Sequence, residues 1–120
     1  MMKKIVVGGQ IDKKQIAADI ERLSEGKLEI DIKSDLDAAM AMKNGQYDYY
    51  IGACNTGGGG ALAMAIALLG SDKCSTVSMP GNIKSEEFIR SEFEKGKVAF
   101  GFTSQHREKV LPIIIDEILK

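Results

Sequence analysis

The 120-residue sequence predicts an α/β fold, a three-layer sandwich in which a five-stranded parallel sheet carries helices on both faces. Three observations lead there. Five short runs rich in β-branched or aromatic residues alternate with segments of helical periodicity. Serine or aspartate capping signals open several of those helical segments, and glycines close them. The intervals between strands suit right-handed crossover helices, which parallel pairing requires. In such a Rossmann-like sheet the chain starts centrally and reverses once, so the strand order begins 2-1-3.

Lys4 to Val7 is a β-branched run ending in Gly8 and Gly9, the first strand. Asp12 and Gln15 stand at capping-box spacing, Ile16, Ile20 and Leu23 recur at helical spacing, and Gly26 supplies the stop. Leu28, Ile30 and Ile32 alternate with Glu29, Asp31 and Lys33, the pattern of an edge strand with one wet face. Ser34 and Asp37 repeat the capping spacing before Leu36, Met40 and Lys43, and Gly45 closes that helix. Tyr47 to Cys54 does not alternate cleanly, as expected of a central strand covered on both faces. Ala61 to Leu69 has no polar residue, so in any rotation this helix exposes apolar surface unless it is covered on every side. It is either deeply buried or covered by a second subunit, and the expectation is a homo-oligomer, a dimer through helix 61–69. Cys74 to Met79 reads as the fourth strand, ended by Pro80 and Gly81, and Ser85 caps a helix that buries Phe88, Ile89 and Phe93 before Gly96. Val98 to Phe102 is the fifth strand. From Ser104 to Lys120 the apolar pairs Val110-Leu111, Ile114-Ile115 and Ile118-Leu119 form a helical stripe, and Pro112 requires that the helix start near it or kink there.

Residues 1–120 are expected to form one domain, since 44% hydrophobic and 28% charged residues are ordinary for a globular chain of this length. Sixteen basic and seventeen acidic residues are spread along the chain, which leaves no basic stripe for a nucleic-acid partner. The start, Met1 to Val7, has only a three-residue apolar run, far short of a signal peptide's apolar region, and no stretch is long enough to span a bilayer, so the expected location is cytoplasmic, without membrane insertion. Cys54 and Cys74 are then reduced thiols. One histidine, His106, leaves too few ligands for a zinc site, and no metal or cofactor is expected.

Ligands of such sheets bind where the loops after the first and third strands part, here Gly8, Gly9 and Gln10, and Cys54 to Gly60. In the second loop Cys54, Asn55, Thr56, Gly57, Gly58, Gly59 and Gly60 lie between a buried strand and an apolar helix, where free N–H groups and the helix dipole favour an anion. Four consecutive glycines cost roughly 0.5–1 kcal/mol each relative to alanine, so a bland turn seldom needs so many, and anion binding is favoured over a purely structural turn. The spacing is neither that of a P-loop nor that of the dinucleotide fingerprint. Cys54, at the end of a strand and before a helix N-terminus, is a base or nucleophile, or else a small buried hydrophobe. Thr56 either donates to a ligand oxygen or caps the helix, and Asn55 either reads a ligand or serves a left-handed turn. His106 reads as a solvated residue rather than a general acid, Tyr47, Tyr49 and Tyr50 as packing residues, and Cys74 as core.

Gly45-Gln46-Tyr47-Asp48-Tyr49-Tyr50-Ile51-Gly52-Ala53-Cys54-Asn55-Thr56-Gly57, with Lys97-Val98-Ala99-Phe100-Gly101 later, resembles the YhfU family of bacterial proteins nearly end to end. That family has no established function, and its members occur beside predicted transporters and metabolic enzymes, which implies small-molecule metabolism or uptake. More distantly, Tyr47-Asp48, Gly52 and Cys54-Asn55-Thr56-Gly57-Gly58-Gly59 are similar to the Cys-Gly-Thr-Gly-x-Gly loop of the ribose-5-phosphate isomerase B and galactose-6-phosphate isomerase family. That resemblance implies Cys54 as the base of an aldose-ketose isomerisation, an oxyanion cradle from Thr56, Gly57 and Gly59, and sites completed across a dimer. The isomerases' Asp-His pair after the first strand is replaced by Gly9-Gln10-Ile11, and their later histidine by Met79-Pro80-Gly81-Asn82. The expected function is therefore the binding of a small anionic metabolite, a sugar phosphate or carboxylate. The alternatives are a divergent isomerase and an assembly subunit without a ligand.

Overall fold

The computed structural model describes residues 2–55 and 58–120. The chain runs through β1 (Lys3–Gly9), α1 (Lys13–Ser24), β2 (Leu28–Ile32), α2 (Asp35–Lys43), β3 (Tyr49–Cys54) and α3 (Gly58–Leu69). It continues through β4 (Cys74–Thr76), β5 (Ser78–Met79), β6 (Asn82–Ile83), α4 (Glu86–Glu94), β7 (Ala99–Thr103) and α5 (Arg107–Leu119). Five strands form one sheet in the order β2-β1-β3-β7-β4, with every neighbouring pair parallel. The order begins 2-1-3 as expected, and the last strand of the chain, β7, then inserts between β3 and β4.

Side-chain alternation divides the interior into two layers. Ile5, Val7, Ile51, Ala53, Phe100 and Phe102 point to one face, where Ile16 and Ile20 of α1, Ile89 of α4 and Val110, Ile114 and Ile118 of α5 cover them. Val6, Tyr50 and Ala99 point to the other, against Ala38 and Met42 of α2 and Leu62 and Ala65 of α3. A strand covered on both faces needs apolar residues at every position, which is why β1 and β3 read as continuous apolar runs. Edge strand β2 keeps its alternation through Asp31, with Leu28 buried, Ile30 half-buried and Glu29 and Asp31 exposed, but Ile32 at its end is exposed as well.

Several local expectations hold. Ser34 and Ser85 accept N–H bonds from Asp37 and Phe88 at 3.1 Å, capping α2 and α4. Others do not. Asp12 precedes α1 in a left-handed conformation, φ 56°, without a side-chain cap, and Gln15 bonds Asp19 instead of completing a capping box. The Asp12 carboxylate is drawn away by Ser104 Oγ, which donates to it, and by Arg107 at 3.7 Å. On α2 the expected stripe points outward: Leu36 and Met40 are 51% and 47% exposed, whereas Ala38, Ala39, Ala41 and Met42 are buried. Close approach to β1 selects the alanines, since a Cβ added at Gly8 would lie 2.9 Å from that of Ala38.

The fourth strand is split. β4 stays in the sheet, while β5 pairs antiparallel with β6 around Pro80 and Gly81, the latter at φ +74°, to make a small hairpin. α5 runs through Pro112, whose missing N–H falls on the exposed side and leaves the carbonyl of exposed Glu108 to water. Among the described residues, no helix is long and apolar enough to cross a membrane.

Candidate functional site

At the carboxyl end of the sheet β1, β3 and β7 finish side by side, with Gly9 opposite Ala53 and Cys54 opposite Thr103. Gly9 turns the chain at φ +76°, and any Cβ there would lie 2.6 Å from the Ala53 nitrogen, so only glycine permits this approach. The next residues are tied down by the Gln10 and Ile11 N–H groups, which donate to the Ala53 carbonyl at 2.9 and 3.4 Å.

Tyr50 fixes the surrounding frame from inside the sheet. Its hydroxyl accepts the Gly9 N–H at 2.8 Å and donates to Asp35 Oδ1 at 2.6 Å, with the Ala61 carbonyl of α3 at 3.1 Å. Burial first, and then the hydrogen bond to the Asp35 carboxylate, hold this phenol far above its usual pKa of 10.0. One side chain thus ties the ends of β1, α2 and α3 together. Tyr47 has a different partner: its hydroxyl donates to Asp31 at 2.6 Å, which raises its pKa to about 12.

Under α3 the strands contribute two side chains on the same face. Gly101 packs against α3, where an added Cβ would meet Leu62 Cγ at 2.6 Å, so Thr103 two residues on faces the same way, beside Cys54 across a strand spacing of about 4.8 Å. Thr103 is 1% exposed, and its Oγ1 has no hydrogen-bond partner among the described residues. Burying such a hydroxyl unpaired costs about 1–3 kcal/mol. The Gln10 side chain closes the other side: a Cβ at Gly60 would lie 3.2 Å from Gln10 Oε1 and 3.4 Å from Cys54 Sγ.

Beyond Thr103 the Thr103 N–H donates to Ser78 Oγ at 3.0 Å, and the same oxygen lies 3.0 Å from His106 Nδ1. His106 is half-buried in this contact rather than simply solvated as the sequence suggested. Behind it Arg107 reaches the Ser104 carbonyl at 3.3 Å and Asp19 at 3.4 Å, fastening the β7–α5 loop to α1. Among the described residues, no three His, Cys, Asp or Glu side chains gather as metal ligands would.

Of the residues singled out by sequence, Gly8, Gly9, Gln10, Cys54 and Gly60 come together here, and Gly58 and Gly59 open α3. Asn55 is exposed at the end of β3, while Thr56 and Gly57 lie outside the described residues. Cys54 is fully buried, as one of its two expected readings has it, and Cys74 is a buried core thiol whose pKa burial raises. Sequence reasoning missed Thr103 and Ser78, and it set His106 aside as a solvated residue. The available signal was Thr103-Ser104 at the carboxyl end of a strand, but it carries weight only once β7 is known to neighbour β3.

The family model described as "Protein of unknown function DUF2620" matches residues 3–118. The uncharacterized protein YhfU of Escherichia coli K12 and that of Shigella flexneri are each 45% identical to this chain over 117 residues, covering 98% of it and 99% of the relative. No solved structure matches the chain.

Proposed function

This chain belongs to the DUF2620 family of proteins of unknown function, and since that membership fixes no ligand, we propose from the geometry that it is a cytoplasmic protein binding a small anionic metabolite, a sugar phosphate or carboxylate, at the loop of residues 54–60. The observation that carries this reading is the Thr103 hydroxyl, buried beside Cys54 on the α3 side of the sheet with no hydrogen-bond partner among the described residues, while Gln10 closes the far side of Cys54 at Gly60. A donor kept unpaired at a cost of about 1–3 kcal/mol, beside amides whose dipole attracts negative charge, is suited to a ligand oxygen. A ligand at ten times its dissociation constant stabilises the fold by about 1.4 kcal/mol, which a thermal melt resolves. Millimolar phosphate, sugar phosphates and organic acids are the probes; no shift with any of them refutes the proposal.

The alternative, isomerisation with Cys54 as base, needs a thiol within reach of a ligand. It also needs acid-base partners, and Gly9-Gln10-Ile11 and Met79-Pro80-Gly81-Asn82 stand where those isomerases carry theirs, so the binding reading ranks ahead of it.

The same protein self-associates through the outer face of α2 and α3. Leu36, Met40, Met64 and Ile66 are exposed there, joined by exposed Ala63 and Ala67, and α3 has no polar side chain with which to meet water or a polar partner. A second copy brings the same apolar surface. Two neighbouring helices of 12 and 9 residues present about 350 Å² per partner, below the roughly 800 Å² of a standard interface, so the dimer is weak. Sedimentation at tens to hundreds of micromolar is expected to show a concentration-dependent dimer that Ala67→Glu abolishes; a monomer throughout refutes it.

A further inference from the structure

Beside the loop site, at the ends of β1 and β2, lies an open depression of about 600 Å³ lined by Gln10, Ile11, Asp12, Lys13, Lys14, Gln15 and Ile32. Its charged lining is one carboxylate and two ammonium groups, and the carboxylate is spoken for: Asp12 is held by Ser104 and Arg107. Lys13 Nζ donates to the Lys33 carbonyl at 3.1 Å, a neutral partner that leaves its charge uncompensated, and Lys14 is exposed. Neither lysine forms a salt bridge among the described residues, and no acidic residue stands in the first turn of α1 to offset them. Two cations in the first turn oppose the helix dipole, so the helix itself gains nothing from them.

Gln10 belongs to both places, lining the depression while its amide presses on Gly60. From the gap between β2 and β1 to the gap between β3 and β7 is two strand spacings, about 10 Å.

We infer that Lys13 and Lys14 hold a second anionic group of the ligand, so that the site takes a small molecule carrying two anionic groups at opposite ends of a chain of about six carbons, laid across Gln10. This rests on the anion-binding reading of the loop. The matched probes are 6-phosphogluconate, with a carboxylate and a phosphate, and glucitol 6-phosphate, which has a hydroxymethyl group in place of the carboxylate. Titration calorimetry at low salt is expected to give at least about threefold tighter binding of the first, the scale of one or two exposed ion pairs. Lys13→Ala combined with Lys14→Ala is expected to remove that preference while leaving the affinity for glucitol 6-phosphate unchanged. Equal binding of the two probes by the native protein, or a preference that survives in the double variant, overturns the inference and leaves the loop site standing. Failure of both probes to bind overturns the loop reading as well.

Discussion

Replacing Thr103 by valine separates stability from binding at a single atom. The two side chains have nearly the same shape, and Thr103 Oγ1 is buried without a partner among the described residues, so the change removes that hydroxyl and adds a methyl group where no water is lost. The desolvation cost of such a group is about 1–3 kcal/mol, and valine at least equals threonine in strand preference. The Thr103→Val protein should therefore be more stable by about 1 kcal/mol or more, which for a chain of 120 residues raises the melting temperature by roughly 3–5 °C per kcal/mol. Phosphate-induced stabilisation should fall at the same time, because the hydroxyl that meets the ligand is gone. Thr103→Ser keeps the hydroxyl and should keep the binding. Urea and thermal unfolding, each with and without millimolar phosphate, give all four quantities. A valine variant less stable than the native protein by 1 kcal/mol would show that the hydroxyl has a partner in the fold, and the site would lose its main support.

Gly60→Ala supplies the helix with a better former at a position with ordinary helical φ and needs only the flexible end of Gln10 to give way. It should raise stability by about 0.5 kcal/mol while weakening anion binding, measured by the same melts; undiminished binding argues that ligands do not approach Gly60. Tyr50→Phe leaves the Gly9 N–H and the Asp35 carboxylate without their partner and should cost about 2–4 kcal/mol in urea unfolding. Because the folded-state pKa of Tyr50 is raised, its contribution is complete below pH 10.0 and lost as pH climbs above it, so the alkaline decline in stability should be shallower in the variant; identical profiles contradict that assignment. Cys54 and Cys74 should both resist a thiol reagent in the native protein and react together on unfolding, and rapid native labelling of Cys54 would return the base role to consideration.

Local signals located every main element, because strand runs, serine caps and glycine stops act over a few residues. The caps at Ser34 and Ser85 needed nothing from the rest of the chain. Asp12 has the same local pattern, but Ser104 and Arg107, some ninety residues on, compete for its carboxylate. Leu36 and Met40 suggested the wrong buried face for α2 because periodicity gives the spacing of a stripe and not its direction; the close approach of α2 to β1 favours alanine inside. Half of the site was legible in the glycines after the first and third strands. The other half comes from β7, and no local pattern says that the last strand of the chain inserts next to β3 and brings Thr103 beside Cys54.

The most direct test is an amide-resolved NMR titration of the whole protein with inorganic phosphate. Saturable shifts confined to the amides of Gln10, Thr103 and Gly58 to Gly60 are the predicted result. Shifts scattered over surface lysines, or none at those five residues, would contradict the assignment of this edge of the sheet as a ligand site.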